Sequence, residues 1–228
     1  MKGFQVIKMK RIFGLILVLA LAVSCVFAFA SCKKEEATTK SIYDLVASAA
    51  PTKTVTLTDF VKGNVTYQGE FIMSVEGNNS IFEFSYERPR TIPEGATDGE
   101  YDDRVPNPVK TIEGVIYFKD GKFSEDGDQW TAEAPSTTIF SFDLKAEYLT
   151  GATTSDDGNT LTAEMTPENA VKVLGTDLQP QGNVKITVKT NGVSLSKVVL
   201  QYVTADGASV TIDTSYTYNN VVLVFPEA

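Results

Sequence analysis

"NVKITVKTNGVSLSKVVLQYVTADGASVTIDTSYTYNN", Asn183 to Asn220, keeps a period of two through three consecutive segments. Val184, Ile186 and Val188 alternate with Lys185, Thr187 and Lys189. Val198, Leu200 and Tyr202 continue the apolar set, and Val210, Ile212, Tyr216 and Tyr218 close it. Such alternation belongs to strands with one face in a core and the other in water. Asn191-Gly192 and Asp206-Gly207 fall between the segments, where tight hairpin turns require positive φ. The stretch therefore predicts an antiparallel meander.

The same period extends towards the N-terminus. In "NVTYQGEFIMSVEG" from Asn64, Val65, Tyr67, Phe71, Met73 and Val75 share one side, and only Ile72 breaks the rule. "SIFEFSYER" sets Phe82, Phe84 and Tyr86 against Glu83, Ser85 and Glu87, and "GNN" between the two runs predicts a hairpin. Further strands are expected around the Asp120-Gly121 turn, and "TTIFSFDLKAEYL" puts Phe140, Phe142, Leu144 and Ala146 on one face. Two short helices interrupt the pattern. Ser41 caps "SIYDLVASAAP" with Asp44 three residues on, and Thr166, Pro167 and Gly175 delimit "TPENAVKVLG". The fold class expected is mainly β (α+β): a strongly curved antiparallel sheet or half-barrel with one or two short helices, built from residues 41–228 as a single domain.

Ahead of that domain the chain changes character. Lys2, Lys8, Lys10 and Arg11 precede an almost unbroken apolar run from Ile12 to Ala30, with no acidic residue before Glu35, which describes a secretory leader. "FASC", Phe29 to Cys32, resembles the lipobox of bacterial lipoproteins, in which the cysteine thiol receives diacylglycerol and becomes the mature N-terminus. Two other readings stay open: "AFA" at Ala28–Ala30 fits an ordinary signal-peptidase cut, and about 20 apolar residues suffice to span a bilayer uncut. The resemblance implies a leader at 1–31, lipidation of Cys32, and an extracytoplasmic protein anchored to the bacterial cell membrane or outer membrane. "KKEEATTK" is too polar to pack, so residues 32–40 form anchor and tether, and eight extended residues reach about 28 Å at most.

Composition excludes several functions. Residues 1–31 hold four of the 20 basic residues and none of the 29 acidic ones, so the remainder carries a formal charge of −13. Nucleic acid is not an expected partner of so acidic a chain. Both cysteines lie in or beside the leader, leaving no disulfide for the domain, and histidine is absent. The commonest general base and transition-metal ligand are thus missing, and no enzyme activity, cofactor or metal is expected. A carboxylate hydrolase would need two converging carboxylates, and no feature nominates a pair.

The long aperiodic stretch "RPRTIPEGATDGEYDDRVPNP", Arg88 to Pro108, holds four of the nine prolines and the acidic cluster Asp98, Glu100, Asp102 and Asp103. It does not follow calcium-loop spacing and reads as a solvated loop. Phe71, Met73, Phe82, Phe84, Phe140 and Phe142 form the candidate apolar ligand face, because a broad sheet with little helix to cover it must bury its apolar side against itself, a partner or a ligand.

In architecture the chain resembles the LolA-like superfamily of lipoprotein carriers and lipid-binding lipoproteins, the mycobacterial LppX and LprG type among them. The resemblance lies in the early helix, the run of antiparallel strands, the brief mid-chain helix and hairpins such as "GVSLSKVVLQYVTADGASVTI". It implies an unclosed, curved sheet with an apolar cavity for acyl chains, and carries over no ligand residue. The partners expected are the membrane, through the N-terminal lipid, and a lipid or other apolar ligand. The alternative is a non-catalytic module that meets a protein or glycan of the cell envelope through the acidic loop. Oligomeric state stays open.

Overall fold

The meander expected at the C-terminus forms, and a second one mirrors it. The computed structural model describes residues 41–89, 109–131, 144–174 and 180–226. A helix α1 (Ile42–Ala47) precedes β1 (Lys53–Lys62), β2 (Val65–Glu76), β3 (Asn79–Pro89), β4 (Val109–Lys119) and β5 (Lys122–Ser124). A 3-10 turn (Ala146–Tyr148) then leads into β6 (Leu149–Thr154), β7 (Thr160–Met165), α2 (Pro167–Leu174), β8 (Val184–Thr190), β9 (Leu195–Val203) and β10 (Ser209–Thr217). All ten strands join one open antiparallel sheet in the order β5-β4-β3-β2-β1-β10-β9-β8-β7-β6. Each half is a five-strand meander of chain neighbours, and the first and last strands, β1 and β10, join the halves.

The local signals act as expected. Ser41 and Asp44 form a capping box, with the Asp44 backbone N–H donating to Ser41 Oγ at 3.2 Å and the Ser41 N–H donating to Asp44 Oδ2 at 3.2 Å. At the start of α2 the Asn169 N–H donates to Thr166 Oγ1 at 3.3 Å. Asp120 and Gly121, with φ of 52° and 76°, turn the chain between Lys119 and Lys122. The β2–β3 turn is one residue tighter than "GNN" implies: Glu76 pairs with Asn79, and Gly77 at φ 60° makes the reversal.

One expectation needs correction. Residues 146–148 do not continue a strand from Leu144; they form the 3-10 turn, and the new strand begins at Leu149. The sheet pairing also recruits β1, whose pattern is inverted: Thr54 and Thr56 are buried while Leu57 is 50% exposed. The pairing explains why. Thr54 lies beside Met73 and Tyr216, and Thr56 beside Phe71 and Thr214, all on the inner face. The Thr56 and Thr214 hydroxyls meet there at 3.0 Å, so each satisfies the other out of water.

That strip of hydroxyls divides the inner face into two cores. Towards β7–β10, Leu161, Met165, Val184, Ile186, Val188, Leu200 and Ile212 are buried together with Ile42 and Val46 of α1 and with Ala170 and Val173 of α2. Towards β2–β4 the second core consists of Phe71, Met73, Phe82, Tyr86 and Ile116. The helices are unevenly placed: α1 packs against β8 and β9, and α2 against β7. Among the described residues, no helix is long and apolar enough to cross a membrane.

Candidate functional site

Cross-strand register assembles the aromatic core. Met73 pairs with Phe82 and Phe71 with Phe84 across β2–β3, while Phe82 pairs with Ile116 and Tyr86 with Ile112 across β3–β4. On one face of adjacent strands such side chains are forced into contact. The Phe71 and Phe82 rings lie 6.5 Å apart and nearly parallel, with an interplanar angle of 13°. Tilted pairs of 5.7 Å for Phe82–Phe84 and 6.1 Å for Phe84–Tyr86 extend the row along β3.

Two strand glycines make room for this stack. Gly114 is the cross-strand partner of Phe84, and a Cβ there would collide with the Phe84 ring. A Cβ at Gly69 would sit 2.6 Å from Thr58 Oγ1 and 2.8 Å from a Phe71 ring carbon. Each glycine is thus a site where a ring lies over bare backbone.

The candidate face consequently has two layers. Phe71, Met73 and Phe82 are 2%, 2% and 0% exposed and form its sealed floor. Phe84 is half-buried, together with Val75, Ile112, Phe118 and Phe123, which pack against that floor. Phe140 and Phe142 lie outside the described residues, as do Cys32 and the acidic cluster at Asp98–Asp103. Ile112, Ile116 and Phe118 of β4 were missed in the sequence reading. Their alternation was present in "TIEGVIYF", but Gly114 occupies the position where it should show an apolar side chain.

Burial leaves an electrostatic mark on the inner face. It pushes the Tyr202 hydroxyl up to about 12 and the Tyr218 hydroxyl up to about 12. Tyr216 is raised further by burial and by neighbouring Tyr218, and Tyr86 is raised by burial against a smaller opposing pull from Arg88. The Tyr218 hydroxyl and Thr54 Oγ1 are buried with no hydrogen-bond partner among the described residues. These tyrosines stay protonated in the fold at pH values where the unfolded chain has ionised. Stability is therefore whole below pH 10 and falls as pH rises from about 10 towards 12, by up to about 1.4 kcal/mol per pH unit for well-buried Tyr202. Urea titrations across that window should show the decline, and replacing Tyr202 with Phe should make it shallower while the other buried tyrosines keep the rest. A profile with no slope above pH 10 would contradict the assignment.

Two open grooves lie on the opposite, polar face. One, of about 660 Å³, is bordered by Glu164, Asn183, Lys185, Gln201 and Thr211. The other, of about 460 Å³, is bordered by Glu70, Glu83 and Glu113 over Ile72 and Val115. No group of three or more carboxylate, cysteine or histidine residues is placed to hold a metal ion among the described residues.

No protein-family model matches the chain, and no curated protein sequence matches it. Among solved structures it is similar to a hypothetical protein of Chlamydia trachomatis, 11% identical over 83% of this chain and 98% of that one, with a TM-score of 0.32. It is also similar to a porin-like protein of Bacteroides uniformis, 12% identical over 74% of this chain and 96% of that one, with a TM-score of 0.23.

Proposed function

We propose that the chain is a bacterial lipoprotein, held outside the cytoplasm by acyl chains on Cys32, whose half-barrel binds a lipid or other apolar ligand. One observation carries the ligand reading: the inner face holds two separate cores, and Ile42 and Val46 of α1 and Ala170 and Val173 of α2 all join the one towards β7–β10. Among the described residues, the aromatic core over β2–β4 includes no residue of either helix. Phe71, Met73 and Phe82 are sealed, so a ligand would meet the half-buried layer of Phe84, Ile112, Phe118 and Phe123. The resemblance to LolA-like carriers supports the same reading.

Native mass spectrometry tests it on residues 33–228, made without the leader and purified without detergent. Every contact described above lies within residues 41–226, so this chain retains them. An acyl species that co-purifies and is lost on denaturation is the expected result. A clean unliganded mass, unchanged after incubation with fatty-acid micelles, would overturn it and favour the second reading, a non-catalytic module of the cell envelope.

A further inference from the structure

We infer that the outer face of the sheet is an interface for a second copy of this chain. The inverted pattern of β1 exposes aliphatic side chains where a solvated sheet normally shows polar ones. Leu57 is 50% exposed, and Val55, Ile72 and Val199 are half-buried around it. Charge is segregated on either side of this stripe. Exposed Glu83 stands on β3 and exposed Glu113 on β4, two and three strands from β1. Lys197 stands on β9 and exposed Lys185 and Lys189 on β8, two and three strands from β1 in the other direction.

The symmetry of that spacing is what selects the partner. A two-fold axis running along β1, in the plane between two outer faces, lays β3 of one copy over β9 of the other and β4 over β8. The register then fixes the contacts. Ile72 pairs with Val55 and with Glu83, while Val55 pairs with Ser215 and Ser215 with Lys197, so Glu83 and Lys197 share one transverse row and come face to face. Glu113 shares its row with Ser85, Glu70, Leu57, Asp213, Val199 and Thr187, and so faces Thr187 of the second copy, between Lys185 and Lys189. Leu57 meets Leu57 on the axis.

Glu70 comes over Asp213, whose charge is already held by Lys197 at 2.8 Å. Lys185 and Lys189 are in no ion pair among the described residues and are available to the acidic groove of Glu70, Glu83 and Glu113. Against the arrangement stand Lys53 and Asp59, which meet their own copies towards the two ends of the axis. A two-fold perpendicular to the strands would instead bring glutamate over glutamate, and is disfavoured by the same charges.

Six strand spacings of about 4.8 Å and three row spacings of about 6.7 Å, from Lys53 to Asp59, define a contact of about 29 by 20 Å, roughly 600 Å² per copy. That is below the ~800 Å² per partner of stable interfaces, so the dimer is transient and salt-sensitive. Sedimentation velocity of residues 33–228, from low to high micromolar concentration, should show a monomer–dimer equilibrium that weakens at high salt. Leu57→Glu should abolish it.

The decisive variants reverse charge and lie on the surface. Glu113→Lys makes one protein, and Lys185→Glu with Lys189→Glu makes the other. Each alone should dimerise at least about tenfold more weakly, and an equimolar mixture should recover a heterodimer, because opposite charges again face each other at both ends. A wild type that stays monomeric, or charge reversals that leave the dimer intact, would overturn the proposal. Dimers lost in both variants but not recovered on mixing would overturn it equally.

Discussion

Replacing Phe82 with alanine should destabilise the domain by about 3–5 kcal/mol, the range for removing a fully buried aromatic ring. Phe82 has no exposed surface, lies on the central strand of the β2–β4 core, stacks on Phe71 and touches Phe84. Its cross-strand partners Met73 and Ile116 are themselves buried, and the closely packed rings can shift only part of the way into the space left behind. A loss of this size is a large fraction of the 5–15 kcal/mol that holds typical domains together. Urea unfolding monitored by far-ultraviolet circular dichroism measures it, and a change under 1 kcal/mol would show that the aromatic core contributes little.

The position of the damage is as informative as its size. The threonine strip of β1 and β10 separates the aromatic core from the aliphatic one. Amides of β2–β4 should therefore lose hydrogen-exchange protection in Phe82→Ala before those of β8 and β9, which keep Ile186, Val188 and Leu200 and the α1 contact.

How far the fold could be read ahead of its structure depended on whether burial and hydropathy agreed. In β8 they coincide: Val184, Ile186 and Val188 are all fully buried and Lys185 and Lys189 exposed, so the period of two was sufficient. In β2 and β3 the aromatic alternation gave the inner face correctly, and its one exception, Ile72, has a reason in the apolar stripe of the outer face. In β1 they disagree, because a hydroxyl can be buried once another hydroxyl answers it. Thr56 is compatible with the core only because Thr214 arrives from a strand 158 residues away. A single strand read alone carries no trace of that partner.

The candidate site was legible to a similar depth. Phe71, Met73, Phe82 and Phe84 are together on one face, as alternation required, but alternation does not rank them by exposure. That Phe84 is half-buried while Phe82 is sealed follows from the three-dimensional neighbourhood, including bare Gly114 opposite Phe84. The charge symmetry about β1 lay further still from view. It needs the strand order, in which β1 joins β10 at the middle of the sheet although the two lie at opposite ends of the domain's sequence.

Changing Cys32 to alanine should abolish acylation of the protein outright, an all-or-none effect. A thioether-linked diacylglycerol supplies two chains, each contributing about 0.8 kcal/mol per buried methylene, whereas one myristoyl-sized chain alone binds membranes only reversibly. The tether of eight residues from Lys33 to Lys40 would then hold the acidic domain within about 28 Å of the bilayer. Labelling with radioactive palmitate in a bacterial host that processes lipoproteins should mark the wild type and fall to background in Cys32→Ala. Mass spectrometry of the N-terminal peptide separates the competing leaders. An acylated peptide beginning at Cys32 supports the anchor. An unlabelled wild type beginning at Ser31 would mean an ordinary cut after Ala30 and a released protein, and an intact Met1 peptide would mean that the apolar run itself stays in the membrane. Because the dimer proposed above is weak, the first outcome has a further consequence: anchoring confines the copies to a thin layer, raising their effective concentration and favouring the paired state without any new contact.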